Sequence, residues 1–211
     1  MFTLDPETDA LLVIDVQNDF CPGGRLSVPG GDEVVPLINR LAWLFPNVLV
    51  TQDWHPAGHH SFASQHEGAA PYDLARLPYG PQVLWPDHCV QGSWGAELHP
   101  GLDLPGAQLT LRKGFRRTVD SYSAFQEADR RTHTGLSGYL RDRGLTRVVL
   151  VGLATDFCVA WSAQDAREQG FGAAVIEDAC RAIDLGGSLG AAWEAMAAAG
   201  VERVQSRDLL G

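Results

Sequence analysis

The sequence predicts an α/β protein, a three-layer α/β/α sandwich around a mostly parallel central sheet. Three observations carry that expectation. The runs Ala10–Ile14 and Val148–Val151 are apolar at every position rather than at alternate ones. This is the pattern of strands buried on both faces, as in parallel sheets covered by helices. Runs of this kind alternate along the chain with helical periodicities, which favours βαβ units. Polar, reactive residues follow the strand ends, where open α/β sheets bind their ligands.

The elements can be placed in order. Ala10–Ile14 is the first strand and ends at Asp15; Gln17–Gly24 is polar and Gly-rich, a loop over the sheet edge. Asp32 caps a helix to about Leu44, with Val34, Val35, Leu37, Ile38, Leu41 and Leu44 at helical spacing. Pro46-Asn47 breaks it before the strand Val48–Thr51. Strand, helix, strand in this order implies a right-handed crossover. Residues 61–84 show little periodicity and read as a long irregular segment, the kind of loop that is usually functional. Gln108–Arg112 is a short alternating strand ending at Lys113-Gly114, and Ser121–Phe125 is a turn. Leu136–Arg143 is a helix stopped by Gly144, and Val148–Val151 is the central strand. Thr155-Asp156 is an N-cap pair for a helix running to Gln169. Phe171–Ile176, an Ala-rich helix over Gly187–Ala199 and Val201–Val204 complete five or six strands. No repeat is visible.

At 211 residues the chain suits one domain, 1–211, with an irregular region at about 52–105. The 26 acidic against 16 basic residues, net charge -10, argue against a nucleic-acid or anionic-membrane partner, because phosphate binding rests on Lys and Arg clusters. The N-terminus MFTLDPETDA is short and acidic, unlike a signal peptide, and no apolar run nears the roughly 20 residues of a membrane span. Cys21, Cys89, Cys158 and Cys180 are scattered without CxxC pairs, which points to a reducing cytoplasm rather than a disulfide framework. Neither GxGxxG nor GxxxxGK[ST] occurs, so phosphate cradling has no support. The composition leaves a homo-oligomer open.

The strand ends carry the chemistry. Cys158 falls in the first helical turn after the central strand, where unpaired N–H groups and the positive dipole end favour a thiolate and can hold an oxyanion. A lone buried Cys is more often inert packing, so the cysteine needs company. Asp15 supplies some: a carboxylate at the end of a buried strand must be paired or carry a proton. Asp53 and His55, at i and i+2 on an extended strand end, face one way and can share a metal; His88 in WPDHC is the candidate third ligand. Lys113 at its own strand end can pair the acid and stabilise the thiolate. For His59, His60, His66, His99 and His133 a surface or supporting place is the commoner outcome.

With those motifs in view, the sequence resembles nicotinamidases of the isochorismatase-like cysteine hydrolase superfamily. The resemblance is carried by ALLVIDVQNDFCPGG, VTQDWHPAGHHSFASQH, WPDHCVQGS, RKG followed by DSYSAF, and VGLATDFCV, in family order along nearly the whole chain. It implies an isochorismatase-like, Rossmann-type topology and a cytoplasmic amidase of NAD salvage that converts nicotinamide to nicotinate and ammonia through a thioester, with pyrazinamide as a second substrate. It implies Cys158 as nucleophile, Asp15 as base and Lys113 as the third member of the triad. The amides of Ala154 and Cys158 match an oxyanion hole, preceded by a cis Leu153–Ala154 bond. Phe20, Trp85 and Tyr122 match aromatics around the pyridine ring. Asp53, His55 and His88 match ligands of one divalent metal, zinc first, with iron and manganese fitting the same donors. His59, His60, Ser61 or water would complete the shell.

Two other readings are weighed against this one. Another small-amide hydrolase of the superfamily would have no use for the metal. A thiol or redox protein built on a low-pKa Cys158 would have no use for Asp15 and Lys113.

Overall fold

The computed structural model describes residues 2–210. The chain runs β1 (Asp9–Ile14), α1 (Val34–Ala42), β2 (Val48–Asp53), a hairpin of β3 (Leu74–Leu77) and β4 (Gly80–Val83), β5 (Ala107–Lys113), α2 (Leu136–Asp142), β6 (Arg147–Leu153), α3 (Ala160–Glu168), β7 (Gly172–Arg181), α4 (Ser188–Ala198), β8 (Glu202–Val204) and α5 (Arg207–Leu210). Six strands form one sheet in the order β5-β2-β1-β6-β7-β8, and every pairing in it is parallel. The order reverses between β1 and β6. Their carboxyl ends, just beyond Ile14 and Leu153, therefore open the crevice at which doubly wound sheets bind ligands.

Alternation along the central strands sends side chains into two cores. Leu11, Val13, Val149 and Val151 pack with Val34, Ile38 and Leu41 of α1 on one face. Ala10, Leu12, Ile14, Val148 and Leu150 pack with Leu140 of α2, Ala163 of α3 and Met196 of α4 on the other. Both faces being covered, no polar alternation is possible in β1 or β6, which is why both read as unbroken apolar runs. Gly152 lies at φ +114 with its Cα tight against β1: a Cβ there would stand 2.2 Å from Ile14 O. Only glycine lets the two strands pair so closely at the switch point.

Several local expectations are corrected. Asp32 is not a helix cap; it lies in a tight turn, Gly31–Glu33, without a side-chain capping bond, and α1 ends at Ala42 rather than about Leu44. Pro36 is tolerated because it sits in the first turn, whose N–H groups have no helical acceptor. The fifth parallel strand does not stop at Ile176 but continues to Arg181, with Glu177 paired to Arg203 and Asp178 accepting from Ser206. The segment 61–84 is not irregular throughout: Leu77 pairs with Gly80 across a two-residue turn to form the β3–β4 hairpin. Thr155-Asp156 does not cap a helix. Residues 155–159 form a wide turn in which Val159 N–H donates to Ala154 O, five residues back, and α3 begins only at Ala160. Asp156 instead reaches across to accept from the N–H groups of Ile183 and Asp184 and from the Ser188 hydroxyl.

Candidate active site

Lys113, 1 % exposed at the end of β5, is the hub of the crevice. Its ammonium stands 2.8 Å from Asp15 Oδ2, 2.8 Å from Asp53 Oδ1 and 3.4 Å from Cys158 Sγ, and donates to Ser121 O at 2.9 Å. Three strand ends and the turn after a fourth thus meet at one nitrogen. Burial works against that charge, but the two carboxylates outweigh it and hold Lys113 protonated.

Asp15 leaves β1 at φ +48, a conformation Asp tolerates better than most residues. Its position is fixed by Thr51 of β2, whose hydroxyl accepts the Asp15 N–H at 3.1 Å and donates to Oδ1 at 2.6 Å. Oδ2 takes no hydroxyl or amide donor; it faces Lys113. Burial raises the pKa of Asp15 above the ordinary carboxylate range; Lys113 and Thr51 pull the other way. Burial likewise pushes the Cys158 thiol well up, with Asp15 and Asp53 adding to the rise and Lys113 opposing it. With no ion bound, burial and the two carboxylates therefore favour the thiol over the thiolate that a helix terminus alone would favour. One ammonium among two carboxylates leaves no room for a third negative charge. Moving the thiol proton to Asp15 keeps the count unchanged.

Beside this group, Asp53 Oδ2 lies 3.1 Å from His55 Nε2 and 3.4 Å from His88 Nε2. The opposite ring nitrogens face carbonyls: His55 Nδ1 donates to Gly114 O at 2.9 Å and His88 Nδ1 to Pro86 O at 2.8 Å. With Nδ1 carrying the proton, each Nε2 can turn a lone pair to a shared ion; with no ion there, Asp53 favours a protonated His55 that donates Nε2–H to Oδ2. Three acceptors converging in a buried pocket require a positive centre among them, and a carboxylate with two imidazoles suits a divalent ion. The three ligand atoms lie within 4.8 Å of one another. Burial works against the charge on Asp53, but a protonated His55, in the ion-free site, and Lys113 hold its carboxyl well below the usual range.

The loop after β2 does not complete this set. His59 is buried, but Nε2 donates to the carbonyls of Arg116 (3.0 Å) and Val119 (3.2 Å), and Nδ1 accepts from the Ser61 hydroxyl at 2.7 Å. Its ring lies 4.3 Å from that of His55. His59 and Ser61 therefore brace the site from behind. The carbonyl of His60 accepts from His66, His99 accepts from Gly101 N–H, and His133 is exposed.

The three aromatics expected around a ring do line one cavity, together with Leu26, Asp120, Ala154, Phe157 and Ile183, which sequence reasoning passed over. The Tyr122 hydroxyl accepts from Trp85 Nε1 and Gln82 Nε2, both at 2.9 Å, and Phe157 packs edge-on against Trp85. Phe20 meets His88 edge-on. The free space is ≈ 20 Å³, room for about one water, so a planar ring enters only as side chains part. A larger groove between α3 and α4 has none of Asp15, Asp53, Lys113 and Cys158 in its lining. Two more residues were missed in the loop after β1. Gln17 clamps the main chain of Asp53 from both sides, accepting its N–H at 2.7 Å and donating to its carbonyl at 2.9 Å. Asp19 accepts the Cys89 N–H at 2.7 Å, next to His88. The Leu153–Ala154 bond is cis, with Ala154 just before the wide turn and Cys158 within it.

A cavity that brings together a buried thiol, a carboxylate, an ammonium and several aromatics suits acyl transfer from a small flat amide. Comparison with known proteins points the same way. The chain is 61% identical over 201 residues to a nicotinamidase of Acinetobacter baylyi, covering 95% of this chain and 94% of that one. It superimposes with a TM-score of 0.97 on a nicotinamidase/pyrazinamidase of Acinetobacter baumannii, 57% identical over 98% of this chain and all of that one. A pyrazinamidase of Pyrococcus horikoshii, solved in complex with zinc, matches with a TM-score of 0.77 and 34% identity over 95% and 99% of the two chains. The isochorismatase domain model matches residues 9–208, and with so much of the chain accounted for, the protein is a member of the isochorismatase family.

Proposed function

We propose that this chain hydrolyses nicotinamide to nicotinate and ammonia through a thioester on Cys158, and that it also accepts pyrazinamide. The observation that carries the reading is the single nitrogen of Lys113 joining Asp15, Cys158 and Asp53, with a pocket of aromatics beside them. Its relatives named for nicotinamide and pyrazinamide hydrolysis cover nearly the whole chain.

Residue roles follow from the geometry. Asp15 Oδ2 takes the thiol proton as Sγ attacks the carboxamide carbon, and the carbonyl π electrons move onto oxygen. That oxyanion is received by the amides of Ala154 and Cys158, an arrangement typically worth about 3–4 kcal/mol per donor. The tetrahedral species collapses, the C–N bond breaks, and Asp15 returns its proton to the leaving nitrogen, which departs as ammonia. Water then attacks the thioester and gives a proton to Asp15; the C–S bond breaks and the thiol is restored. Lys113 remains charged throughout and holds Asp15 and the sulfur in register.

Asp53, His55 and His88 would hold one divalent ion, zinc in the first place, and such an ion would supply a Lewis acid for a pyridine nitrogen. Phe20, Trp85 and Tyr122 hold the ring so that the carboxamide meets Sγ. In this reading the chain, 1–211, acts as one catalytic domain, supported by the family match over 9–208. Acid quench of the enzyme during turnover, followed by intact and peptide mass analysis, tests the covalent step: a nicotinoyl group should appear on the peptide carrying Cys158. An enzyme that turns over with no acyl adduct at any time point would contradict the thioester.

A further inference from the structure

Asp120 has no role so far. It is 2 % exposed and lines the same cavity as Asp53, His88 and Cys158. Its carboxylate lies within 4.8 Å of a ring nitrogen of His55 and of one of His59. Its side chain accepts from two neutral donors, Gln82 Nε2 on Oδ2 and its neighbour Ser121 N–H on Oδ1, each at 2.8 Å. Among the described residues no lysine, arginine or histidine forms an ion pair with it. A carboxylate has about four lone-pair sites, so acceptor capacity remains. Buried carboxylates are typically paired with a cation or engaged by a metal ion.

His59 does not supply the missing partner, because both its nitrogens are already bonded. The trio His55, His59 and Asp120 is thus no separate cation site. What remains is a carboxylate on the wall of the cavity that the Asp53–His55–His88 cluster also faces. The formal charges there are informative. Asp15 and Asp53 against Lys113 leave one net negative charge; a divalent ion at the cluster would turn this into one net positive charge in a buried pocket. Asp120 brings the total to zero.

We propose that Asp120 is the outer carboxylate of the metal centre: it holds an ion-bound water and balances the charge of a divalent ion held by Asp53, His55 and His88. The proposal rests on the metal centre of the reading above. It makes Asp120 a positioning residue whose loss is felt as metal affinity, while the Gln82 contact only ties the β3–β4 hairpin to it.

The test is a Zn²⁺ titration of the full chain against a chromophoric chelator, with thermal melts of the metal-stripped proteins. Asp120→Asn should weaken Zn²⁺ binding by about ten- to a hundredfold, the range typical of lost outer-shell partners. Stripped Asp120→Asn should melt no lower than the stripped wild type, since an uncompensated buried charge has gone. Gln82→Ala, which spares the carboxylate, should keep the wild-type affinity; Asp120→Ala, lacking any amide, should repeat the loss. Wild-type affinity in the Asp120 variants, beside a His88→Ala protein that has lost Zn²⁺, would overturn this role and leave the metal centre standing. An equal loss in Gln82→Ala would overturn it too, by moving the effect to the hairpin. A wild type that binds no Zn²⁺ would overturn the metal centre and this proposal together.

Discussion

Lys113 Nζ and Asp53 Oδ1 stand 2.8 Å apart, and that contact joins two sites that would otherwise be separate. The other oxygen of Asp53 faces His55 and His88, while the same ammonium meets Asp15 and Cys158. A change in charge at either end is therefore felt at the other across one carboxylate. Among the described residues Lys113 is the only cation in contact with Asp15, and burial makes an uncompensated carboxylate there expensive.

Replacing Lys113 by Met should accordingly cost stability as well as activity. Two buried carboxylates would lose their cation, and removal of one partner from such a group typically costs about 3–5 kcal/mol. Urea denaturation should show that loss, and turnover should fall to background. A Lys113→Met protein as stable as the wild type would mean that Asp15 is neutral at rest and needs no counter-charge.

Thr51 provides a test of the base by pH. Its hydroxyl donates to Asp15 Oδ1 and so favours the carboxylate, against the burial that raises it. A base must be deprotonated to accept the thiol proton, so activity falls as pH drops through its pKa. The acid limb of kcat/KM in the metal-saturated enzyme should lie above the ordinary aspartate range. Thr51→Val removes a contribution that lowers the pKa, so the limb should move to higher pH. An unmoved or lowered limb would take Asp15 out of the base role.

Gly114 sits at φ +66 directly behind His55; a Cβ would stand 2.5 Å from the ring carbon Cε1 and 2.8 Å from Nδ1. Gly114→Ala should displace the imidazole and break its bond to the Gly114 carbonyl, which sets the tautomer. Zn²⁺ affinity should drop by at least about tenfold, with a stability loss of about 1–3 kcal/mol from the left-handed backbone. A variant with unchanged affinity and melting would show that the His55 ring has slack.

Much of the architecture could be read in advance because its signals are local. The unbroken apolar runs of β1 and β6 record burial on both faces, and Asp15, Asp53, Lys113 and Cys158 each sit at or shortly after the end of a strand that could be placed. Parallel order then brings those ends to one edge, and the structure does bring them together. What escaped depends on contacts far apart in sequence or on backbone geometry. Thr51 looked like an ordinary strand residue until β2 paired with β1. Asp156 looked like a cap because its partners, Ile183 to Ser188, arrive from another segment. The β3–β4 hairpin was hidden because its strands are short and carry Pro81 and Gly80 rather than an alternating apolar pattern. The thiol's protonation state escaped for another reason: a helix terminus argues for thiolate, and only the folded charge count reverses that. Asp120 and Phe157 lay inside motifs already singled out, and their neighbours drew the attention.

The most direct measurement is ammonia release from nicotinamide by the purified protein, with and without a metal chelator, beside Cys158→Ala. We expect release by the intact enzyme, its loss on chelation and its recovery with added Zn²⁺, and none from a folded Cys158→Ala protein. Substantial release by Cys158→Ala, or none from the metal-loaded wild type, would contradict the account at its centre.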